Sequence, residues 1–186
     1  MRLFLDSNIM TYIAFFEGYL CEGTRAELDL AIEYWHRTGR QHPDLRLLQE
    51  VEALRVLYLI DDQAHFDWLF SEMAINEIRR IRSEPRRSSH YHLLDRLIEH
   101  RRDVYLEEGR NISQKQRAEL LSQLLPDIPE RMKNDALQYC EAELVESDYF
   151  LTNDHRFIKR ACKSRGNVQA SRVSDLPFVG ESRSLV

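Results

Sequence analysis

The sequence predicts an α/β protein of three layers, α/β/α, with a mainly parallel sheet of four to five strands between helices. Short apolar runs at 2–5, 68–70, 149–152 and 168–171 are separated by stretches with helical apolar spacing. Strands that alternate with helices in this way pair in parallel and take helices on both faces. Only six Gly and five Pro occur in 186 residues, too few turn formers for an all-β chain of many short strands. With 43% apolar and 31% charged residues the composition is that of a chain that folds around a core. Its length fits one domain, expected over 1–176, with 177–186 as a loose tail.

Residues 2–5 (Arg-Leu-Phe-Leu) read as a buried strand, and the apolar spacing from Ile9 to Leu20 predicts a helix directly after Asp6. Thr24 and Glu27 form a capping box, the pattern stays amphipathic through Trp35, and Gly39 is a natural stop, which predicts a helix over 25–38. Pro43 opens another, with Leu45, Leu48, Val51, Leu54, Leu57 and Tyr58 at helical spacing up to Ile60. The two read as a helical hairpin inserted at 24–61.

Trp68, Leu69 and Phe70 make the second strand, followed by Ser71 and a helix through Ile75, Ile78 and Ile81 that carries Glu77. Residues 88–107 read as helical, Ser113 with Gln116 caps a shorter helix, and Pro126 and Pro129 separate that from a long helix over 133–147 bearing Asp135. Residues 149–152 form the third strand, 154–165 a helix ended by Gly166, and 168–171 a weak fourth strand.

Cys21, Cys140 and Cys162 are odd in number and widely spaced, which suits ordinary reduced thiols and neither a disulfide framework nor a cysteine zinc site. The formal charge of -5 argues against a generally basic nucleic-acid binder and leaves local patches open. No apolar run reaches about 18 residues, and Met1 leads straight into a strand-like segment. The expectation is a soluble, unexported, cytoplasmic protein with no membrane partner.

In open parallel sheets, ligands bind beyond the carboxyl ends of the strands, and Asp6 and Asp154 each follow an apolar strand closely. A helix over 133–147 climbs roughly 20 Å and the strand after it returns about 15 Å, so Asp135 comes back beside Asp154. Glu77 sits one turn into the helix after the second strand, near the same rim. Four carboxylates in partly desolvated space repel one another unless a cation intervenes. With no cysteine nearby and no dominant histidine pattern, the oxygen donors select Mg²⁺ or Mn²⁺ over zinc.

The pieces Leu-Phe-Leu-Asp6-Ser7-Asn8, Ser71 with Glu77, Asn134-Asp135-Ala136, and Leu151-Thr152-Asn153-Asp154 followed by Phe157 occur in that order. Over residues 1–175 they resemble the PIN-domain nucleases, which include the toxin ribonucleases of bacterial toxin-antitoxin pairs. The segments 24–61 and 83–130 are longer than a compact toxin has. The resemblance implies a PIN-like fold and an RNA-hydrolysing site in which Asp6, Glu77, Asp135 and Asp154 hold Mg²⁺ or Mn²⁺ and metal-bound water attacks the phosphodiester. It makes Thr152 and Asn153 supporting or phosphate-facing groups, and RNA the substrate. It also leaves room for an antitoxin-like protein inhibitor and for a homodimer.

Each acid also has a plainer reading: Asp6 and Asp154 as helix caps, Glu77 as a solvated helix acid, Asp135 as a partner of the helix dipole. Ser7 and Asn8 are residue types that hold a first turn by local hydrogen bonds. Between 79 and 102, eight arginines, among them Arg79, Arg80, Arg86 and Arg87, face three acids. The run is either an RNA-docking patch or a solvated face. His90 and His92 read as a surface pair, and His155 as a candidate for proton transfer or phosphate contact. Two other functions stay open: a non-catalytic PIN-like binding module, and a small-molecule phosphohydrolase with Asp6 as nucleophile. Against the latter, Asn8 stands where a second aspartate is usual.

Overall fold

A computed structural model describes residues 1–82, 84, 87, 88, 90–92, 95 and 112–182. The expected patch members Arg86, Arg96, Arg101 and Arg102, and most of the helix expected over 88–107, lie outside the described residues.

Strands β1 (Arg2–Leu5), β2 (Asp67–Phe70), β3 (Tyr149–Leu151) and β4 (Gln169–Ser171) form one sheet, ordered β2-β1-β3-β4 and parallel throughout. Period-two alternation sends neighbouring side chains to opposite faces. Leu3, Leu5, Trp68, Phe70 and Leu151 point to one core, and Phe4, Leu69, Phe150 and Ala170 to the other. The first core is closed by α1 (Ser7–Glu22), α2 (Arg25–Arg37) and α3 (Leu45–Ala64). The second is closed by α6 (Lys133–Leu144) and α7 (His155–Ala161), with α5 (Gln114–Leu124) at its margin. Helices therefore flank both faces of the sheet, an α/β arrangement compatible with three layers. Between β2 and α5 the short α4 (Glu72–Arg79) leaves the sheet edge.

Local chemistry accounts for most boundaries. Thr24 accepts from the Glu27 amide and Asp44 from that of Leu47, so α3 starts at a capped Leu45. Ser113 and Gln116 complete a reciprocal capping box on α5. Helix α1 ends at Gly23, whose φ of 72° is left-handed. A guanidinium from α3, Arg55, reaches the freed carbonyls of Leu20 and Cys21 there, placing positive charge at a helix carboxyl end.

The hairpin α2–α3 contributes Leu28, Trp35, Val51, Leu54 and Leu57 to the same core as Leu3 and Leu5. It is thus a structural cover of one sheet face. Buried Glu50 of α3 accepts from the Ser174 amide and hydroxyl at 3.1 and 2.5 Å, tying the hairpin to the segment after β4. The expected loose tail is corrected over its first part: Pro177–Ser182 forms α8, because Val179 is fully buried and Phe178 packs on Phe66 and Tyr149. Helix α7 is shorter than expected, giving way at Cys162 to turns. His90 is not on the surface. It is 1% exposed, 3.0 Å from the Thr11 hydroxyl and edge-on to Phe15.

Across the second layer, Arg117 of α5 meets Glu141 of α6 at 2.5 Å, with the two side chains 12% and 4% exposed. Removing one partner of a buried pair costs far more than replacing both by apolar groups. Arg117→Met should lower the unfolding free energy by about 3 kcal/mol in urea titration, and adding Glu141→Leu should recover most of it.

Candidate functional site

The connection from β1 runs to β2 on one side, while β3 leads to β4 on the other. The crevice where such connections diverge, beyond the carboxyl ends of β1 and β3, is where open parallel sheets bind ligands. The residues directly after those two strand ends are Asp6 and Thr152.

Asp6 stands at the N-cap position of α1, yet its side chain makes no capping bond. It is fully buried and accepts from Thr152 Oγ1 at 2.7 Å, Asn8 Nδ2 at 2.9 Å and Ser7 Oγ at 3.3 Å. Burial pushes its carboxyl above the usual range, and these hydrogen bonds oppose the shift. Ser7 and Asn8 therefore brace the carboxylate rather than simply the first turn. Thr152, also fully buried, is shared: its oxygen donates to Asp6 and accepts from the Asp154 amide at 3.1 Å.

Asp154 caps α7, with Oδ1 accepting from the Arg156 and Phe157 amides at 2.8 and 3.1 Å. Asp135 lies in the first turn of α6. Its carboxyl is pushed up to about 7, first by burial and then by the charges of Asp6, Asp154 and Glu77. Glu77, half-buried on α4, accepts from Asn134 Nδ2 at 3.4 Å, which brings the α4 and α6 acids together. All four expected acids thus share one electrostatic neighbourhood.

Electrostatic proximity is looser than coordination. Among the described residues, no three His, Cys, Asp or Glu side chains close up into a metal-holding group. The donor chemistry, all carboxylate oxygen with hydroxyl and amide support, suits a hard divalent ion that keeps much of its water. A buried Asp6 with no cation among its hydrogen-bond partners and an Asp135 raised by three like charges fit such an ion electrostatically.

The remaining expected site residues divide. Among the described residues, the side-chain amide of Asn153 has no hydrogen-bond partner. Asn153 lines a cavity of about 490 Å³ with Tyr12, Trp35, Arg40, His42 and Glu50, at the turn between α2 and α3. Arg40 there stacks 4.4 Å above the Trp35 ring. Arg79 and Arg80 are exposed at the end of α4, with Arg79 reaching Asn76 at 3.4 Å. Arg87 turns back, bonding the Ile81 carbonyl at 3.3 Å and pairing with Glu84. His155 is exposed beside Asp154. No helix among the described residues is long and apolar enough to cross a membrane. The bracing roles of Ser7 and Asn8 escaped the sequence reading, although adjacency to an acid at a strand end is the signal that marks them.

Comparisons with protein-family models, curated proteins and solved structures give no match to the chain. What the protein does is therefore read from the chemistry of this acidic edge.

Unfolded Asp135 loses its proton near about 3.9, whereas the folded carboxyl keeps it up to about 7. The folded state binds the extra proton between those values, so the stability it contributes is complete below the lower one and lost as pH rises through the upper. In chelator, Asp135→Asn should flatten this part of the pH profile and raise the thermal midpoint at alkaline pH by about 2–4 °C, a modest effect because the side chain is only partly buried. Calorimetry across pH 4–8 reads both.

Proposed function

We propose that the chain is a divalent-metal-dependent endoribonuclease with a PIN-like fold that hydrolyses RNA phosphodiesters at the crevice between β1 and β3. The observation that carries this reading is the buried Asp6 carboxylate beyond the end of β1, hydrogen-bonded across the crevice to Thr152, with Asp135 close enough to feel the charges of Asp6, Asp154 and Glu77. Four acids from four separate segments in one electrostatic neighbourhood beside a topological switch point is an arrangement that stability alone does not call for.

Asp6, Glu77, Asp135 and Asp154 would hold Mg²⁺ or Mn²⁺. When bound, the ion supplies Lewis acidity at the scissile phosphate and an activated water. The chain's own part is positional. Thr152 fixes the Asp6 carboxylate against the Asp154 backbone, Asn8 bonds the same Asp6 oxygen and Ser7 the other, and Asn134 holds Glu77 toward α6. Asp154 uses one oxygen for its cap and keeps the other for the site. Hydrolysis adds water across the P–O bond, leaving a phosphate on one fragment and a hydroxyl on the other.

Asp6→Asn should reduce Mg²⁺- or Mn²⁺-dependent cleavage of RNA to the level seen in chelator, with the circular dichroism spectrum unchanged. Full activity in that variant would overturn the reading. Thr152→Val leaves every acid in place and should weaken Mn²⁺ binding by about 10- to 100-fold in titration calorimetry, the usual cost of losing a group that orients a ligand.

A further inference from the structure

The nuclease reading leaves open how a polyanion approaches an acidic edge on a protein of net charge -5. Arg156, Lys159, Arg160 and Lys163 recur at i, i+3, i+4 and i+7, the spacing that places side chains on one helical face. All four are exposed, on α7 and the turn after it. Together with Arg131 they line a groove of about 510 Å³ whose other wall is the connection 124–132.

Among the described residues, Asp127 is the one acid lining the groove, and Arg160 donates to its backbone carbonyl, at 3.4 Å. Among the described residues, no carboxylate lies within ion-pair distance of Arg131, Arg156, Lys159 or Lys163. Several cations elsewhere on the surface are matched: Arg25 with Asp29, Arg37 with Glu33, Lys115 with Glu119 and Arg172 with Asp175. Positive charge is therefore left unneutralised along this groove, and such a place concentrates anions.

We infer that this groove is the track for the flank of a single RNA strand whose cleaved phosphate sits at the acidic edge. The inference rests on the nuclease reading. Three features favour RNA over an acidic protein segment. The stripe starts two residues after Asp154, at the end of α7 that carries this site acid. Its cations recur about once per 5.4 Å helical turn, a repeat suited to successive backbone phosphates. The opposing wall carries Leu124, Pro126 and Ile128, apolar surface against which bases can lie.

The test uses the full chain, a fluorescein-labelled oligouridylate and anisotropy across a salt series, in chelator so that nothing is cleaved. Wild-type affinity should fall with salt, and Lys159→Gln with Lys163→Gln should reduce the slope of log K against log salt by about 1.4, or about 0.7 for each single-strand phosphate that is no longer neutralised. Arg25→Gln with Arg37→Gln, on α2, should leave the slope unchanged. An unaltered slope in the α7 variant, or no salt-dependent binding by the wild type, overturns the groove. Displacement of the RNA by polyglutamate as readily as by unlabelled oligouridylate also overturns it, in favour of an acidic protein partner. The two readings fail separately: full cleavage by Asp6→Asn protein with a reduced slope removes the nuclease and keeps the groove, whereas an unaltered slope with inactive Asp6→Asn removes the groove alone.

Discussion

A carboxylate buried just beyond the end of the central strand pair of a parallel sheet is the constraint around which this molecule is arranged. Asp6 follows the strand that pairs on both sides, and the neighbouring segments cover its carboxyl. A buried acid must be paired, protonated or richly hydrogen-bonded. Here neutral donors do the bonding, two from the helix that follows and one from the end of the adjacent strand. Each of these contacts spans a junction where strand gives way to helix. The requirement of one side chain therefore sets the register of the whole crevice.

The two faces of the sheet divide the remaining tasks. One is closed by α1 and the hairpin, with aromatic rings of Phe15, Phe16 and Trp35 packed at centroid distances of 5.1 to 5.7 Å. The other stacks Phe150 against Tyr139 and Phe157 at 5.7 Å, fixing α6 and α7 and so the acids at their starts. Aromatic packing on that side sets the positions of Asp135 and Asp154 relative to the strand ends. The charged groove of α7 lies on this same layer.

Much of this was legible in the sequence because the signals are local. Strand runs, the capping residues Thr24 and Ser113, and the stop at Gly39 each act within a few residues, and each element appears where they put it. The closeness of Asp135 to Asp6 and Asp154 also followed, since rise per residue fixes where a helix and a strand return. Three features were not legible. Whether 24–61 is an appendage or a wall depends on its partners across the core, and periodicity is blind to partners. The seating of Val179 and of His90 depends on pockets built by distant segments. The cavity that Asn153 lines is completed by Tyr12, Trp35 and Glu50, which lie far from it in sequence. The basic stripe on α7 was readable by spacing but hidden by the longer arginine run near 79–102.

The bond between Glu50 and Ser174 carries a consequence for how this chain tolerates change. It joins the hairpin to residues that arrive after the last strand, closing a loop of more than a hundred positions in sequence. The hairpin is thus a keystone instead of an ornament. Trimming the chain toward a minimal version would leave α1 to cover that side of the sheet without the hairpin and would remove the anchor of the segment that follows the last strand.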